Sequence, residues 1–515
     1  MSSDNTPSLD ELDRYLFKCA DIIRNTVDKT DYKDYILPLV FYKTISDTYQ
    51  DNYEELLEEY DDPEIASDEA FHDFVVPEEY RWEELRKQSE RVDEFINDAF
   101  SALERENEPT LDGVFRTDFR RADALGDTKL TDLVEHLSTY NLSTHRVPPD
   151  LLGEAYMDLV RHFADEEGRD GGEFFTPPHI VDLMVRLLAP YEDGAEIHDP
   201  TAGSGGMLVR ASRYAMEDPD SGDPDGFRLT GQEVNPDIAA IARMNLFING
   251  YSEDGHIRRE DSLSNPQFTE DGQLEAFDYV LANFPFSADW DKDGLRDDKY
   301  GRFNWAEEGK LPRADRGDYA FIMHKIAQLN ETGRAAIVIP HGVLFRRHES
   351  KFRKPMLSPD GGDIPGVDHE IVEAVVGLPS NLFQNNSIPS AILVLNKDKP
   401  VERQGQVLFF HAGDNYVDEF YRELSNQNEL TERGLDHVVE NFRSWNTEER
   451  VSRVVDVEEI AANDYSLNIA LYVDTTEPQE EIHVAEELTM LHDLRAERDE
   501  LEARMDQHME VLGYE

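Results

Sequence analysis

The sequence predicts an α/β protein built on a doubly wound sheet, with a helical domain before it and a helical tail after it. Three observations predict this. Between about 170 and 400, short β-rich runs alternate with helical stretches, the pattern of a parallel sheet covered on both faces. A glycine-rich turn, DPTAGSGG, joins one such run to a helix. Polar residues able to hold a ligand stand where successive runs end, and doubly wound sheets bind their ligands at the carboxyl ends of strands.

Taken in order, residues 8 to about 60 read as helices. LDELDRYLFKCADIIRNTV sets Leu12, Leu16, Ala20, Ile23 and Val27 at steps of three and four, an amphipathic stripe. YKDYILPLVFYKTISDTY continues it, with Pro38 at a kink or a helix start. More polar helices follow to about 150 without a catalytic pattern, so 1–150 is expected to be a packing or docking domain. Residues 151–400 hold the alternating region: GAEIHDP, GGMLVRASRYAM, FRLTGQEV, NPDIAAIARMNLFING, HIRREDSL, FDYVLANF, DYAFIMHKIAQL, GRAAIVIP, HEIVEAVVGLP and SAILVLNK. Residues 401–475 are a mixed extension with no clear pattern. Over 476–515, Leu491, Leu494, Leu501, Met505 and Leu512 mark a helix whose seam Arg498 and His508 interrupt, which suits docking on a partner or on its own chain better than a long coiled coil.

At 515 residues the chain has material for two or three domains. Its single cysteine, Cys19, excludes an internal disulfide framework and any Cys-rich metal centre, and no calcium-type loop is present, so no metal is expected. No apolar run approaches a membrane span and the start lacks a signal pattern, so a soluble, cytoplasmic protein with no membrane partner is expected. Charge is the loudest feature: 111 acidic against 50 basic residues, a net −61. The acids are spread over every segment, which argues against an acidic tail. With basic residues that are mostly Arg, the pattern resembles that of halophilic archaeal proteins, and a surface adapted to concentrated salt, which screens self-repulsion, is expected. Such a chain binds DNA only through a local basic face, a basic partner or salt screening. RRHESKFRK, Arg346 to Lys354, is its most basic run and a candidate phosphate contact, or equally a solvated helix face.

Four segments could carry chemistry. In DPTAGSGG, Asp199, Ala202, Gly203, Ser204, Gly205 and Gly206 form a turn whose glycines let a ligand approach the backbone, ahead of free amides at a helix start. It lacks both the Gly-x-Gly-x-x-Gly dinucleotide spacing and the P-loop Lys-Ser/Thr. Glu233 in GQEVNP follows the second run, where an acid reaches a ribose diol. Asp261 in REDSL, after the third, suits an adenine amino group or a helix cap. Upstream, Glu173, Phe174, Phe175, Thr176 and Pro177 precede a helix; Thr176 and Pro177 make an N-cap and N1 pair, and the aromatic pair suits the closing of a cofactor's amino-acid end. FDYVLANFPFS ends in Asn283, Phe284, Pro285 and Phe286, an arrangement that holds a flat base and its amino group.

Together these pieces resemble an S-adenosylmethionine-dependent DNA methyltransferase acting on amino groups, of the class whose FTP segment precedes the glycine-rich turn. More narrowly, the chain resembles the modification (M) subunit of type I restriction-modification systems over nearly its whole length, through YKDYILPLVFYKTISD, GGEFFTPPHIVDLMV, DPTAGSGGML, GQEVNPDIAAIARMNLFING, GDYAFIMHKIAQL, IPHGVLFR, IVEAVVGLPSNLF and IPSAILVLNK. The resemblance implies a Rossmann-like methyltransferase sheet with S-adenosylmethionine as cofactor. Asn283 and the carbonyl of position 284 would accept the amino hydrogens of a flipped base, and Phe286 would stack on it. An Asn-led tetrad implies adenine. The family pattern is Asn-Pro-Pro-aromatic, and Phe284 departs from it; it keeps the carbonyl and, preceding Pro285, the extended bias. Thr201-Ala202 likewise stands for a frequent Ala-Cys. The implied partners are DNA, a specificity (S) subunit that chooses the target, a second copy of the chain and a restriction/translocase (R) subunit. Two other readings stay open: a catalytically inactive scaffold, for which Phe284 is the support, and a protein-glutamine or RNA methyltransferase.

Overall fold

The computed structural model describes residues 7–121, 125–167, 176–223, 226–251, 255–303, 305, 310–360, 362, 364–383, 389–412, 420–424, 427–475 and 484–512. The chain forms two compact units, Met1–Val473 and Asp474–Glu515.

The first unit opens with helices. Leu9–Ile23 buries Leu12, Leu16, Ala20 and Ile23, the stripe its spacing requires, and Ser8 with Glu11 closes a capping box at its start. Tyr32–Tyr60 runs through Pro38 without starting there. Val92–Glu106, Asp127–Leu137 and Pro149–Glu167 complete the layer. Their apolar faces merge in one core that takes in Leu152, Tyr156, Leu159 and Phe163, so the helix across the expected boundary at 150 packs with the N-terminal layer. That core also takes Ile238, Ile241, Met244 and Phe247 from the helix Pro236–Ile248, whose opposite face (Ala239, Ala242, Leu246) packs on the sheet. One helix thus glues the two layers together.

The sheet comprises β1 (Glu196–Asp199), β2 (Arg228–Glu233), β3 (Gly255–Arg259), β6 (Phe277–Asn283), β7 (Leu329–Pro340), β8 (Val372–Gly377), β9 (Ser390–Asn396), β10 (Gln406–His411) and β13 (Ser452–Asp456). The short strands β4 (Thr269–Glu270) and β5 (Gln273–Leu274) form a separate pair, as do β11 (Tyr421–Glu423) and β12 (Asn428–Leu430). The nine-stranded order is β13-β10-β8-β9-β7-β6-β1-β2-β3. Side chains alternate between faces: Tyr279 and Leu281 of β6 meet the helices Pro178–Leu188 and Gly206–Glu217, while Val280 meets Asp318–Ala327. Both faces are covered, which is why the strands read as continuous apolar runs.

Two expectations need correcting. The sheet is mixed: β9 runs antiparallel to β7 and β8, and β13 antiparallel to β10. β9 follows β8 in the order of elements and pairs with it antiparallel, the pairing open to neighbouring strands without a crossover. The sheet also does not end at 400, since β10 and β13 lie in the stretch expected to be a mixed extension.

The second unit is the helix Val484–Leu512, along which Leu491, Leu494, Leu501 and Met505 are exposed and Arg498 pairs with Asp499 and Glu502. Among the described residues no helix is long and apolar enough to cross a membrane.

Candidate functional site

The chain lays β1, β2 and β3 outward in one direction, then returns to place β6 on the other side of β1. That reversal is a topological switch point, where the two connections part and leave a crevice. Three strands end there in polar residues: β1 at Asp199, β2 at Glu233 and β6 at Asn283. All three line a single cavity of about 330 Å³, a size suited to a nucleoside-sized ligand. Thr176, Ala202, Gly203, Ser204, Gly206, Asp261 and Pro285 line it too.

The glycine-rich turn earns its residues geometrically. Gly203 and Gly205 take left-handed φ values of +53° and +78°, which side chains disfavour. Gly231 under the turn is needed for a different reason: a Cβ there would sit 2.8 Å from the Cβ of Ala202. The acids are held by main-chain donors. Thr201 N–H donates to Asp199 (2.9 Å), Gly203 N–H to Glu233 Oε2 (3.0 Å) and Asn235 N–H to Oε1 (2.8 Å). Burial raises the Glu233 carboxyl, and these amides pull it back down. Beside it Val234, an exposed apolar side chain, offers the cavity a flat greasy wall. Asp261 accepts from Leu263 N–H (2.8 Å) and Ser264 Oγ–H (2.9 Å), so it closes a local turn as well as facing the cavity.

The tetrad divides by strand alternation. Asn283 falls on the face of Tyr279 and Leu281, toward the segment before the helix Pro178–Leu188. There its Nδ2 donates to Thr176 Oγ1 at 3.1 Å. This corrects the expected capping: the helix starts one residue later, with Pro177 as its cap and Pro178 first in the helix, which leaves the Thr176 hydroxyl for Asn283. No donor among the described residues takes Asn283 Oδ1, so that acceptor is left to a ligand. Phe284 falls on the opposite face. Its ring is buried, stacked on Phe321 at 5.2 Å and 11°, and does not line the cavity. Phe286 is half-buried against Phe284 and Phe383 and is not among the residues that line the cavity. Glu173, Phe174 and Phe175 lie outside the described residues.

Several residues with no sequence signal matter here. Trp290 lines the cavity, with its indole N–H donating to the Arg313 carbonyl (2.8 Å). Met157, Asp158 and Arg161 bring the helix Pro149–Glu167 to the cavity, so the helical layer forms one wall. Behind Phe284 lies Lys325, fully buried, with Nζ 5.2 Å from the Phe284 ring centre and 5.1 Å from that of Phe321. Burial pushes its pKa down and that of Asp199 up, and their mutual attraction opposes both shifts. Asp318 is buried as well: Oδ1 accepts from Ser287 N–H (2.6 Å) and Oδ2 from Arg346 (2.6 Å), which fixes the chain leaving the tetrad. Of the basic run at 346–354, then, Arg346 is structural. So is Arg353, whose guanidinium reaches the carbonyls of Val343, Arg346 and Tyr465.

Comparison with known proteins agrees with this architecture. The family model described as N-6 DNA Methylase matches residues 147–481, and the one described as HsdM N-terminal domain matches 12–137. The chain is 32% identical to the type I restriction enzyme MjaVII methylase subunit of Methanocaldococcus jannaschii, over 100% of this chain and 85% of that one. It is 30% identical to the HindI methylase subunit of Haemophilus influenzae, over 82% and 93%. The crystal structure of the type I restriction-modification methyltransferase subunit from Streptococcus thermophilus superposes with a TM-score of 0.77 at 28% identity, over 91% of this chain and 100% of that one. Matched through both its helical layer and its sheet, the chain belongs to the N-6 DNA methylase family, as a methyltransferase subunit of the type I restriction-modification kind.

Proposed function

We propose that the chain transfers a methyl group from S-adenosylmethionine to the exocyclic amino group of an adenine flipped out of duplex DNA, at a target chosen by a separate specificity subunit. The observation that carries this reading is Asn283. It stands at the end of β6, lines the cavity that Asp199 and Glu233 also line, and has its Nδ2 oriented by donation to Thr176 Oγ1. The residues present fit the cofactor. Glu233 retains acceptor capacity for a ribose diol, Val234 and Leu263 offer apolar faces to a purine, and the turn at Gly203–Gly206 admits close backbone approach. Glu173, Phe174 and Phe175 are assigned to the amino-acid end by resemblance. When bound, S-adenosylmethionine supplies an electrophilic methyl on a sulfonium.

The chain's own work concerns the amino group. An adenine amino nitrogen delocalises its lone pair into the ring and is a poor nucleophile. Asn283 Oδ1 accepts one amino hydrogen and the Phe284 carbonyl the other, which favours a tetrahedral nitrogen with its lone pair aimed at the methyl. No strong base is needed first, because the proton leaves after transfer. Phe284 leaves the cavity open, since its ring packs on the far side of β6. Phe286, which does not line the cavity, is assigned to stacking on the base by resemblance alone.

Two copies of the chain around one specificity subunit, joined by a restriction/translocase subunit, complete the proposed assembly in the cytoplasm. The test is methylation-aware sequencing of duplex DNA incubated with the reconstituted complex and S-adenosylmethionine. Modified adenine at a two-part motif is expected; modification of a protein or RNA instead would sink the reading.

The acidic surface is assigned to a halophilic way of life. Ions screen like-charge repulsion over about 10 Å at 0.1 M and about 3 Å at 1 M. The unfolding midpoint should therefore rise steadily as potassium chloride increases toward molar concentrations, as followed by circular dichroism. A midpoint independent of salt would contradict this.

A further inference from the structure

Basic residues are scarce in a chain of net charge −61, yet two segments that gather them are tied to the chain leaving the tetrad. The first segment is stitched to the chain leaving the tetrad. Gly317 N–H donates to the Ala288 carbonyl (2.7 Å), Trp290 N–H to that of Ala314 (3.0 Å) and the Trp290 indole to that of Arg313 (2.8 Å). Ala288, Asp289 and Trp290 themselves line the cavity, so Arg313 and Arg316 are held at its edge. The second segment is locked to the same place through Arg346 and Asp318, and through Arg353 on the carbonyls around it. That locking turns Arg347 and His348 outward, while Arg316 and Lys351 are half-buried.

These cations crowd one another. Partial burial, and after it the charges of Arg313, Arg316, Arg346 and Lys351, hold the His348 imidazole below the ordinary histidine range. Two carboxylates answer them in part: Asp315 pairs with Arg313 (2.5 Å), and Glu349 with Arg346 (3.5 Å) and His348 (3.6 Å). Among the described residues, Arg316 and Arg347 have no ion-pair partner. Like charges held together by a rigid frame favour an anion that completes them.

We propose that Arg316, Arg347 and Lys351 form a phosphate-binding rim that grips the DNA backbone next to the base held at Asn283. This rests on the DNA methyltransferase reading and assigns its electrostatic grip to a place in the fold. Phosphate pairing of this kind sets affinity and register without reading sequence.

The experiment uses the complex reconstituted with its specificity subunit and measures duplex binding across a range of salt. The wild type is compared with the triple variant Arg316→Gln, Arg347→Gln, Lys351→Gln, and with Arg453→Gln, a cation paired with Glu459 on the helix after β13. Removing one cation that neutralises a phosphate makes the slope of log K against log salt shallower by about 1. The slope should therefore become shallower by about 3 in the triple variant and stay unchanged in Arg453→Gln. Binding should weaken equally for target and non-target duplexes, with S-adenosylmethionine binding unchanged. An unchanged slope in the triple variant overturns the proposal. So does a triple variant that no longer assembles with the specificity subunit, which would make the rim a protein interface. A wild-type complex that binds duplex without methylating it would instead fault the methyltransferase reading and leave the rim standing.

Discussion

Asn283→Ala should lower methyl transfer by about 100- to 1,000-fold, the loss typical when one preorganised polar group is removed from a reacting centre. Cofactor affinity should stay within about two-fold, because the proposed site sets Asn283 on the amino group and leaves the cofactor to Asp199, Glu233 and the glycine turn. The expected signature is therefore a fall in kcat with binding intact. Thr176→Val provides an internal check. It removes the hydroxyl that accepts from Asn283 Nδ2, so the side chain loses its orienting partner but keeps its acceptor. A single hydrogen bond of this kind contributes about 1 kcal/mol, so its loss should be nearer five- to ten-fold. Steady-state methylation of a target duplex together with cofactor titration gives both numbers. Activity unaffected by Asn283→Ala would mean that the tetrad does not carry the chemistry.

How much of this was legible in the sequence depended on how local each cause is. The stripe at Leu12, Leu16, Ala20 and Ile23 was readable because helix burial follows spacing alone, and all four are buried. The strands ending at Asp199, Glu233 and Asn283 were readable because short apolar runs between helices leave few alternatives. Strand direction was not. The antiparallel placement of β9 is set by its pairing with β7 and β8 rather than by any local pattern, and β13 pairs with β10 across a long stretch of intervening chain. Phe284 shows the same limit at the site. From sequence it is a proline replaced by a bulky ring beside a base pocket. The alternation along β6 settles where that ring goes, and the partners that receive it, Phe321 and Lys325, come from a helix whose pattern shows nothing unusual. Thr176 is the converse case: its hydroxyl was given a capping role by a good local rule, and a residue far along the chain claimed it instead.

Lys325→Met should destabilise the folded chain by about 1–3 kcal/mol, because it removes the buried cation whose attraction favours the charged form of Asp199, although the two side chains make no direct ion pair or hydrogen bond. Lys325 and Asp199 are 0% and 1% exposed, so neither has water to fall back on. Asp199→Asn should be costly for the mirror-image reason, since it leaves an ammonium with no opposing charge. The double variant should recover most of the loss, because Met and Asn together bury no charge and Asn can still accept from Thr201 N–H. The pH dependence has a definite sign. Burial already pushes the Asp199 carboxyl up to about 7 from an ordinary 3.8, and removing Lys325 removes an attraction that lowers it. A carboxyl whose pKa is higher folded than unfolded binds more protons in the folded state, so stability falls as pH rises through that window. The deficit of Lys325→Met should thus be smaller near about pH 5 than near about pH 8, where the stranded carboxylate is charged. Denaturant unfolding of the four chains at both pH values measures the coupling directly. Additive single effects, or a deficit that grows toward acid, would show that the pair does not act as one unit. If the coupling is found, the tetrad rests on it as well: Phe284 lies against Lys325, whose charged form is favoured by the attraction of Asp199, the residue that ends β1 in the cofactor cavity. Asn283 would then be placed for its task partly by a charge pair that does not itself touch the base.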